Sequence, residues 1–583
     1  MRSRIGPFVV TGVCLAVFAV CVMAQRAGPG AASIPRMVDI TASTRIHFNH
    51  LASPEKKYIV ESMSGGVALI DYDRDGWPDM YFTNAPDVEM QLAGKKARGA
   101  LFHNNRDGTF TDVTEKAGVG YPCWANGAAV GDYNNDSWPD LMVTCFGGVV
   151  LYRNNGDGTF TDATRQAGLA GDTLWAMGAA FGDYDGDGRE DLYISHYAAF
   201  DLHDLPAFGS MVNCQYHGIR VQCGPAGLPG SPDDLYRNSG DGTFRNVSKE
   251  SGIRGAQNLL GLTAVWSDLN DDGKPDLFVA NDGANNYLLR NDGNGRFTEV
   301  GFQAGVALDE NGKALANMGL ALGDYLHTGR FSIAISHFSE QYLQLFRNDG
   351  KLSFTDVSNI CRVARPTMYY VGWGDAFFDP DNDGWPDLIM TNGHVYPQVD
   401  QANIGVKFRQ PTQLFLNGRD GTFLDASDKA GEALKTPRVG RGLVVGDLFN
   451  DGLQEVVIEN LEGEPVILRP RSAPRNHWIG LELAGARDKL ALNAKVKVTA
   501  GGFTQTDEVR SGGSYLSQND LRLHFGLGDA RRVDRVEISW PFGSTEKVMN
   551  LEADHSYCVK EGAGVVPCAS IRANAAPVDG TRR

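Results

Sequence analysis

Asp71-Tyr-Asp-Arg-Asp-Gly-Trp-Pro-Asp79 is the stretch on which the fold turns. An apolar run, Val67 to Ile70, precedes it and a second, Met80 to Phe82, follows, so it reads as a tight acidic loop between two strands. The form D-x-D-x-D-G-x-x-D returns at Asp132 (DYNNDSWPD), Asp183 (DYDGDGRED), Asp268 (DLNDDGKPD) and Asp379 (DPDNDGWPD), and in decayed form at Asp324 (DYLHTGRFS) and Asp447 (DLFNDGLQE). Spacings of 51 to 85 residues suit a four-stranded propeller blade plus insertions.

Working outward, a hairpin signature follows most loops: LFHNNRDGTFTDVT from Leu101, LYRNNGDGTFTDAT from Leu151, LYRNSGDGTFRNVS from Leu235, LLRNDGNGRFTEV from Leu288, LFRNDGKLSFTDVS from Leu345 and LFLNGRDGTFLDAS from Leu414. Its turns are rich in Asn, Asp and Gly, which tolerate positive φ. The seventh repeat offers only Pro465-Val-Ile-Leu-Arg469 and no closing strand, whereas Met37-Val-Asp-Ile-Thr41 stands alone at the other end. That segment is therefore expected to complete the last blade, closing a seven-bladed all-β propeller over residues 36–470 and hiding its sheet edges. Seventy glycines in 583 residues, about 12% against a typical ~7%, agree with a turn-dense β protein.

The acidic loop between two strands, with a Gly-rich strand before it, resembles the FG-GAP or VCBS repeats of integrin alpha-subunit propellers. The segment from Asn476-His-Trp-Ile-Gly-Leu-Glu-Leu through Ser514-Tyr-Leu-Ser-Gln, Leu523-His-Phe-Gly-Leu-Gly and Trp540-Pro-Phe-Gly resembles the ASPIC/UnbV domain. Together they are similar to the cartilage acidic protein family, including its bacterial members. The resemblance implies a small β-rich C-terminal domain at 475–562, and the Ala-, Gly- and Pro-rich composition after Glu561 predicts a flexible tail at 569–583.

Alternating carboxylates in a tight loop are the donors a hard, oxygen-seeking dication such as Ca2+ requires. The expected ligands are Asp71, Asp73, Asp75 and Asp79; Asp132, Asn134, Asp136 and Asp140; Asp183, Asp185, Asp187 and Asp191; Asp268, Asn270, Asp272 and Asp276; and Asp379, Asp381, Asp383 and Asp387. Four carboxylates about 4 Å apart repel by about 4 kcal/mol per pair at an effective dielectric of 20, and a dication relieves this. In the fifth loop Leu326, Thr328 and Ser332 replace the acids, so no calcium is expected there; the seventh keeps Asp447, Asp451 and Glu455 but has Phe449. Saturated oxygen cages favour structural over catalytic metal.

Residues 1–24 read as a secretory signal peptide, with Arg2 and Arg4 before an apolar run from Phe8 to Met23 and cleavage near Gln25. Its loss takes the net charge from −17 to −19, and five calcium ions would bring it to −9. With no basic stripe, nucleic acid is not an expected partner. Beyond the signal no stretch is long and apolar enough to span a membrane, so a secreted, periplasmic or cell-surface location is expected. Of the seven cysteines left after cleavage, Cys214 and Cys223 share one loop and are expected to pair; Cys558 with Cys568 and Cys123 with Cys145 then leave Cys361 as the odd thiol.

Insertions at 85–100, 197–234 and 393–413 fall on the face away from the metal loops. Polar residues at the strand ends there, with aromatics from the incoming connections, suggest a ligand face made of Asn84, Trp124, Trp175, His196, Asn281, His337, Tyr370, Asn392 and His394. The competing expectation is that these residues plug the channel and pack blade on blade. Gly66, Gly127, Gly178, Gly319, Gly374 and Gly442 precede their loops by five residues, where crowding at the axis requires a missing side chain. No G-x-S-x-G, H-E-x-x-H, P-loop or Rossmann fingerprint occurs. The reading is a non-enzymatic binding or adhesion module for glycan or protein. The alternatives are a polysaccharide lyase or hydrolase using the face opposite the calcium loops, and a structural component of an extracytoplasmic complex.

Overall fold

The computed structural model describes residues 34–53, 55–255, 259–471, 476–486 and 489–572, so the signal-peptide reading and residues 573–583 of the expected tail lie outside the described residues. Seven sheets form the blades, each of four strands in order, with Leu315–Ala316 added to the fourth as a short fifth strand. In the first, Val67–Ile70, Asp79–Phe82, Ala100–Asn104 and Phe110–Asp112 run antiparallel from the axis outward. The inner strands are buried along their whole length because small and branched residues line them, as in Ala125–Gly131 and Ala176–Gly182, while outer strands such as Phe160–Asp162 expose every residue but the first.

Each inner strand packs on the next, from Val67–Ile70 round to Gly440–Gly446 and back to Val67–Ile70, so the ring is closed. Its seam is the expected one. Arg36–Asp39 supplies the outer strand of the seventh blade, antiparallel to Val466–Arg471 with Met37 opposite Pro470.

One side chain per hairpin ties the blades together. Asn154 Nδ2 donates to the carbonyl of Pro139 in its own blade (3.0 Å) and of Tyr72 in the preceding blade (2.7 Å). Asn104, Asn238, Asn291 and Asn417 repeat the two-blade bond, and Asn348 reaches Leu269 of the blade before. In the seventh blade Pro470 stands at this place and has no donor to offer.

The C-terminal region has two four-stranded sheets. One orders Leu523–Gly528, His477–Ala484, His555–Lys560 and Gly564–Val566, with the middle pair parallel; the other orders Phe503–Glu508, Lys495–Ala500, Arg532–Ser539 and Thr545–Glu552. Two limits expected from sequence move. Ordered strand continues past 562, and the tail does not begin at 569, because Cys568–Arg572 is a short helix with Ile571 buried and Arg572 paired to Glu482. The disulfides Cys123–Cys145, Cys214–Cys223 and Cys558–Cys568 are formed, and Cys361 is free and buried.

The candidate metal loops and the filled axis

The acidic loops organise themselves through their own backbone. Asp71 accepts from the amides of Asp75 and Gly76, both at 2.9 Å, and Asp79 accepts from Asn104 (2.7 Å) and Tyr72 (3.3 Å). Asp132 and Asp140, Asp183 and Asp191, and Asp379 and Asp387 take corresponding bonds. The second ligand place is left over. Asp73 Oδ1, Asp185 Oδ1 and Asp381 Oδ1 are shielded from solvent without a hydrogen-bond partner, as is Asp276 Oδ2 in the fourth loop.

Oxygens of Asp71, Asp73 and Asp75, of Asp183, Asp185 and Asp191, and of Asp379, Asp381 and Asp383 gather within 4.8 Å in each group. In the second and fourth loops an amide oxygen, Asn134 or Asn270, takes the second place and accepts from the amide of Asp136 or Asp272. Burial, then neighbouring carboxylates, pushes Asp79 and Asp132 up to about 7 and Asp276 to about 8. Asp140, Asp379 and Asp387 move well upward for the same reasons. Mutual repulsion among buried carboxylates is what a dication relieves, and the residues of the first, third and sixth loops offer the oxygen donors that a calcium ion takes.

Protein cations compensate in part: Arg106 pairs with Asp75, Arg237 with Asp185 and Asp187, and Arg419 with Asp383. In the seventh loop Arg469 pairs with Asp451 and lies 3.4 Å from Glu455, its guanidinium over Phe449. The residue that displaced an acid there thus stacks on a cation supplied by the protein.

The C-terminal domain docks onto these loops. Lys489 donates to the Gly188 carbonyl (3.1 Å), Lys495 to that of Asp268 (3.2 Å) and Arg522 to those of Gly76 (3.2 Å) and Asp447 (2.8 Å). Asn476 donates to Asp381 O (2.8 Å), the Gly528 amide to Asn382 O (2.8 Å), and His327 stacks between Trp385 and Phe503. A cavity of about 500 Å³ remains between the domain and blades five to seven, lined by Asp324, Asp379, Asp447, Glu508, Arg510 and Arg522 among others.

From the same domain, Ser511–Gln518 enters the axis. Ser514 and Leu320 exchange two backbone bonds of 2.7 Å, Gln518 does the same with Val67 and Leu69 at 2.9 Å, and Ala128 donates to Leu516 O (3.1 Å). The Tyr515 hydroxyl reaches Met63 O (2.6 Å), and its ring meets Trp373 edge-on at 4.6 Å. Of the glycines singled out from sequence, Gly66, Gly127 and Gly442 face this segment, where a Cβ at Gly66 would lie 2.2 Å from Leu516 O, and Gly178, Gly319 and Gly374 face the next blade's inner strand, where a Cβ at Gly319 would lie 1.9 Å from Trp373 O.

The residues expected to form an open ligand face lie inside. Asn84, Trp124, Trp175, His196, Asn281, His337, Asn392 and His394 are buried, and Tyr370 is half-buried. The asparagines are used by backbone: Asn84 Oδ1 accepts from Leu51, Asn281 donates to Asn285 O and Asn392 to Pro411 O. His196 bridges Pro232 O (2.8 Å) and Asp172 (3.1 Å), and His337 meets Ala316 O. Trp124, Trp175 and Trp373 share one apolar cluster with Tyr515 and Leu516, with Tyr396 and Phe338 packed against it from the opposite-face loops. The strand-end polar pattern reports loop-holding hydrogen bonds, and sequence alone does not separate these from ligand contacts.

Comparison with known proteins agrees with this architecture. FG-GAP-like repeat models match residues 71–143, 132–194 and 268–335, and the model described as ASPIC and UnbV matches 485–566. Cartilage acidic protein 1 of Mus musculus is 23% identical over 492 residues, covering 82% of this chain and 61% of that protein. The Homo sapiens protein of the same name gives 23%, 82% and 60%, so the match spans about three fifths of the length of these relatives. Among solved structures, an Agrocybe aegerita lectin described as recognising non-reducing terminal N-acetylglucosamine is 16% identical with a TM-score of 0.39, covering 69% of this chain and 87% of its own. Trypanosoma rangeli sialidase is 9% identical with a TM-score of 0.33, covering 71% and 56%. At scores this low neither likeness bears on what the chain binds.

Proposed function

For a chain that carries FG-GAP-like repeats and a C-terminal ASPIC and UnbV domain, we propose an exported, calcium-binding propeller that acts as a binding or adhesion module for an extracellular glycan or protein. The observation that carries binding over catalysis is the filled axis. Ser511–Gln518 takes the space at the propeller centre, and the histidines His196, His337 and His394 are packed into the protein instead of facing a cleft. Calcium is supported by the gathered carboxylates and by the unpartnered oxygens of Asp73, Asp185 and Asp381. When bound, it would hold the acidic turns in one conformation; the chain's own part is to present the C-terminal domain and the outer blade edges on that rigid frame. Export is supported by the charged and apolar N-terminal run and by three disulfides.

A glycan and polysaccharide screen on the mature chain, in calcium and in chelator, with reducing-end release followed in the same wells, tests the reading. Calcium-dependent binding without release is the expected result. Release of reducing ends would put a polysaccharide-active enzyme in its place, and silence in both would turn the search to protein partners.

A further inference from the structure

The first acidic loop differs from the other six in one donor. On the third strand of the other blades, the residue before the hairpin asparagine or its counterpart is Arg153, Arg237, Arg290, Arg347, Leu416 or Arg469; Arg237 and Arg469 pair with acids of their loops, and Arg290 and Arg347 with the hairpin aspartates Asp292 and Asp349. None of these is a metal ligand, since guanidinium has no lone pair to give and leucine none at all. In the first blade it is His103. Its Nδ1 is turned away from solvent and lies between two carboxylates, 3.2 Å from Asp79 Oδ1, with which it pairs, and 3.5 Å from Asp73 Oδ2. Asp73 is also gathered with Asp71 and Asp75, so one imidazole nitrogen joins a set of carboxylate oxygens.

The ring is held in place. Tyr72 meets it edge-on at 5.9 Å, and Asp79 is fixed by the amides of Asn104 and Tyr72. Metal–nitrogen and metal–oxygen bonds of about 2.1 Å at angles between octahedral and tetrahedral put adjacent donors about 3.0–3.4 Å apart. The two measured edges fall at or next to that range. Calcium takes oxygen donors, whereas imidazole together with carboxylate suits first-row transition dications.

We propose that the first loop, through His103 with Asp73 and Asp79, is a site for a transition-metal dication of the Zn2+ type in place of the calcium that its oxygens alone would suit, chemically distinct from the all-oxygen loops of the other blades. The proposal does not depend on those loops holding calcium and stands if they hold nothing.

His103→Arg is the decisive variant, because it installs the side chain that five other blades carry and so keeps the charge compensation while removing the donor. The probe is Zn2+ alone, titrated into chelator-stripped full-length mature protein in excess Ca2+. The wild type is expected to bind one Zn2+ that the variant binds at least tenfold more weakly, with the melting temperature in calcium unchanged by the substitution. Equal zinc binding by both proteins overturns the site, and so does no binding by the wild type. A second measurement needs no variant: modification of His103 by diethyl pyrocarbonate, read by mass spectrometry, is expected to fall at least tenfold with Zn2+ and little with Ca2+. Equal protection by both ions, or by neither, also overturns it.

Discussion

At the scale of single residues, the hairpin asparagine does more than its turn position implies. Removing it from the second blade as Asn154→Ala leaves the carbonyls of Pro139 and Tyr72 without a donor in a buried seam between blades. The expected loss is about 1–3 kcal/mol in denaturant unfolding, and a change within experimental scatter would mean that water replaces the amide. Glu459 is the opposite case. Four residues past the last ligand place, five other blades carry the hydroxyls of Thr83, Thr144, Ser195, Ser336 and Thr391 and the fourth has Ala280; the seventh buries a carboxyl there with neither oxygen hydrogen-bonded. Burial pushes its pKa well above the ordinary value of 4.5. The folded state therefore binds this proton more tightly than the unfolded state. Its contribution is fully present below the unfolded pKa and is lost as pH rises through and beyond that value. Glu459→Thr is expected to flatten this part of the stability profile and to gain on the wild type from pH 4.5 upward; parallel profiles would rule the buried proton out.

At the scale of elements, the acidic loops and the axial segment behave differently under inspection of the sequence. The loops were legible because each carries its chemistry in nine contiguous residues, and the closing strand because counting strands left one missing at one end and one spare at the other. Ser511–Gln518 was not legible: it has no periodicity, and its partners are backbone groups of Val67, Ala128 and Leu320, which no side-chain pattern announces. The polar ring was open to two readings for a related reason, and the packing one matches the structure, since Asn84, Asn281 and Asn392 spend their amides on neighbouring loops. Two tests belong here. Asp183→Ala with Asp187→Ala is expected to lower the melting temperature by several degrees in saturating calcium, and an unchanged value would remove calcium from the account of that loop. Gly127→Ala drives a methyl to 2.8 Å from Leu516 Cβ and should cost about 1–3 kcal/mol, whereas Gly171→Ala, with nothing within 4 Å, should be neutral. Similar effects from both would mean that backbone entropy, not the axial segment, sets the penalty.

At the scale of the whole molecule, propeller and C-terminal domain share one hydrophobic core, in which Phe181 and Leu192 of the third blade pack with Leu481, Val496 and Trp540. The domain also grips the acidic turns through Lys489, Lys495 and Arg522. Anything that loosens those turns should therefore loosen the axial segment. Hydrogen exchange in chelator is expected to rise in the loops and in Ser511–Gln518 together, with the outer strands unaffected; protection of 511–518 that ignores chelator would show that the two are independent.

The seam gives the molecule a direction in which it is weak. Arg36 lies opposite Arg471, so both free ends of the closing ladder sit at the same end of it, and a pull that separates the segment before Arg36 from the one after Arg471 breaks the bonds between Arg36–Asp39 and Val466–Arg471 one after another instead of all at once. Tension between the segment before Arg36 and the one after Arg471 would thus open the ring like a zipper, one rung at a time, at the one blade whose outer pair of strands is not joined by a turn.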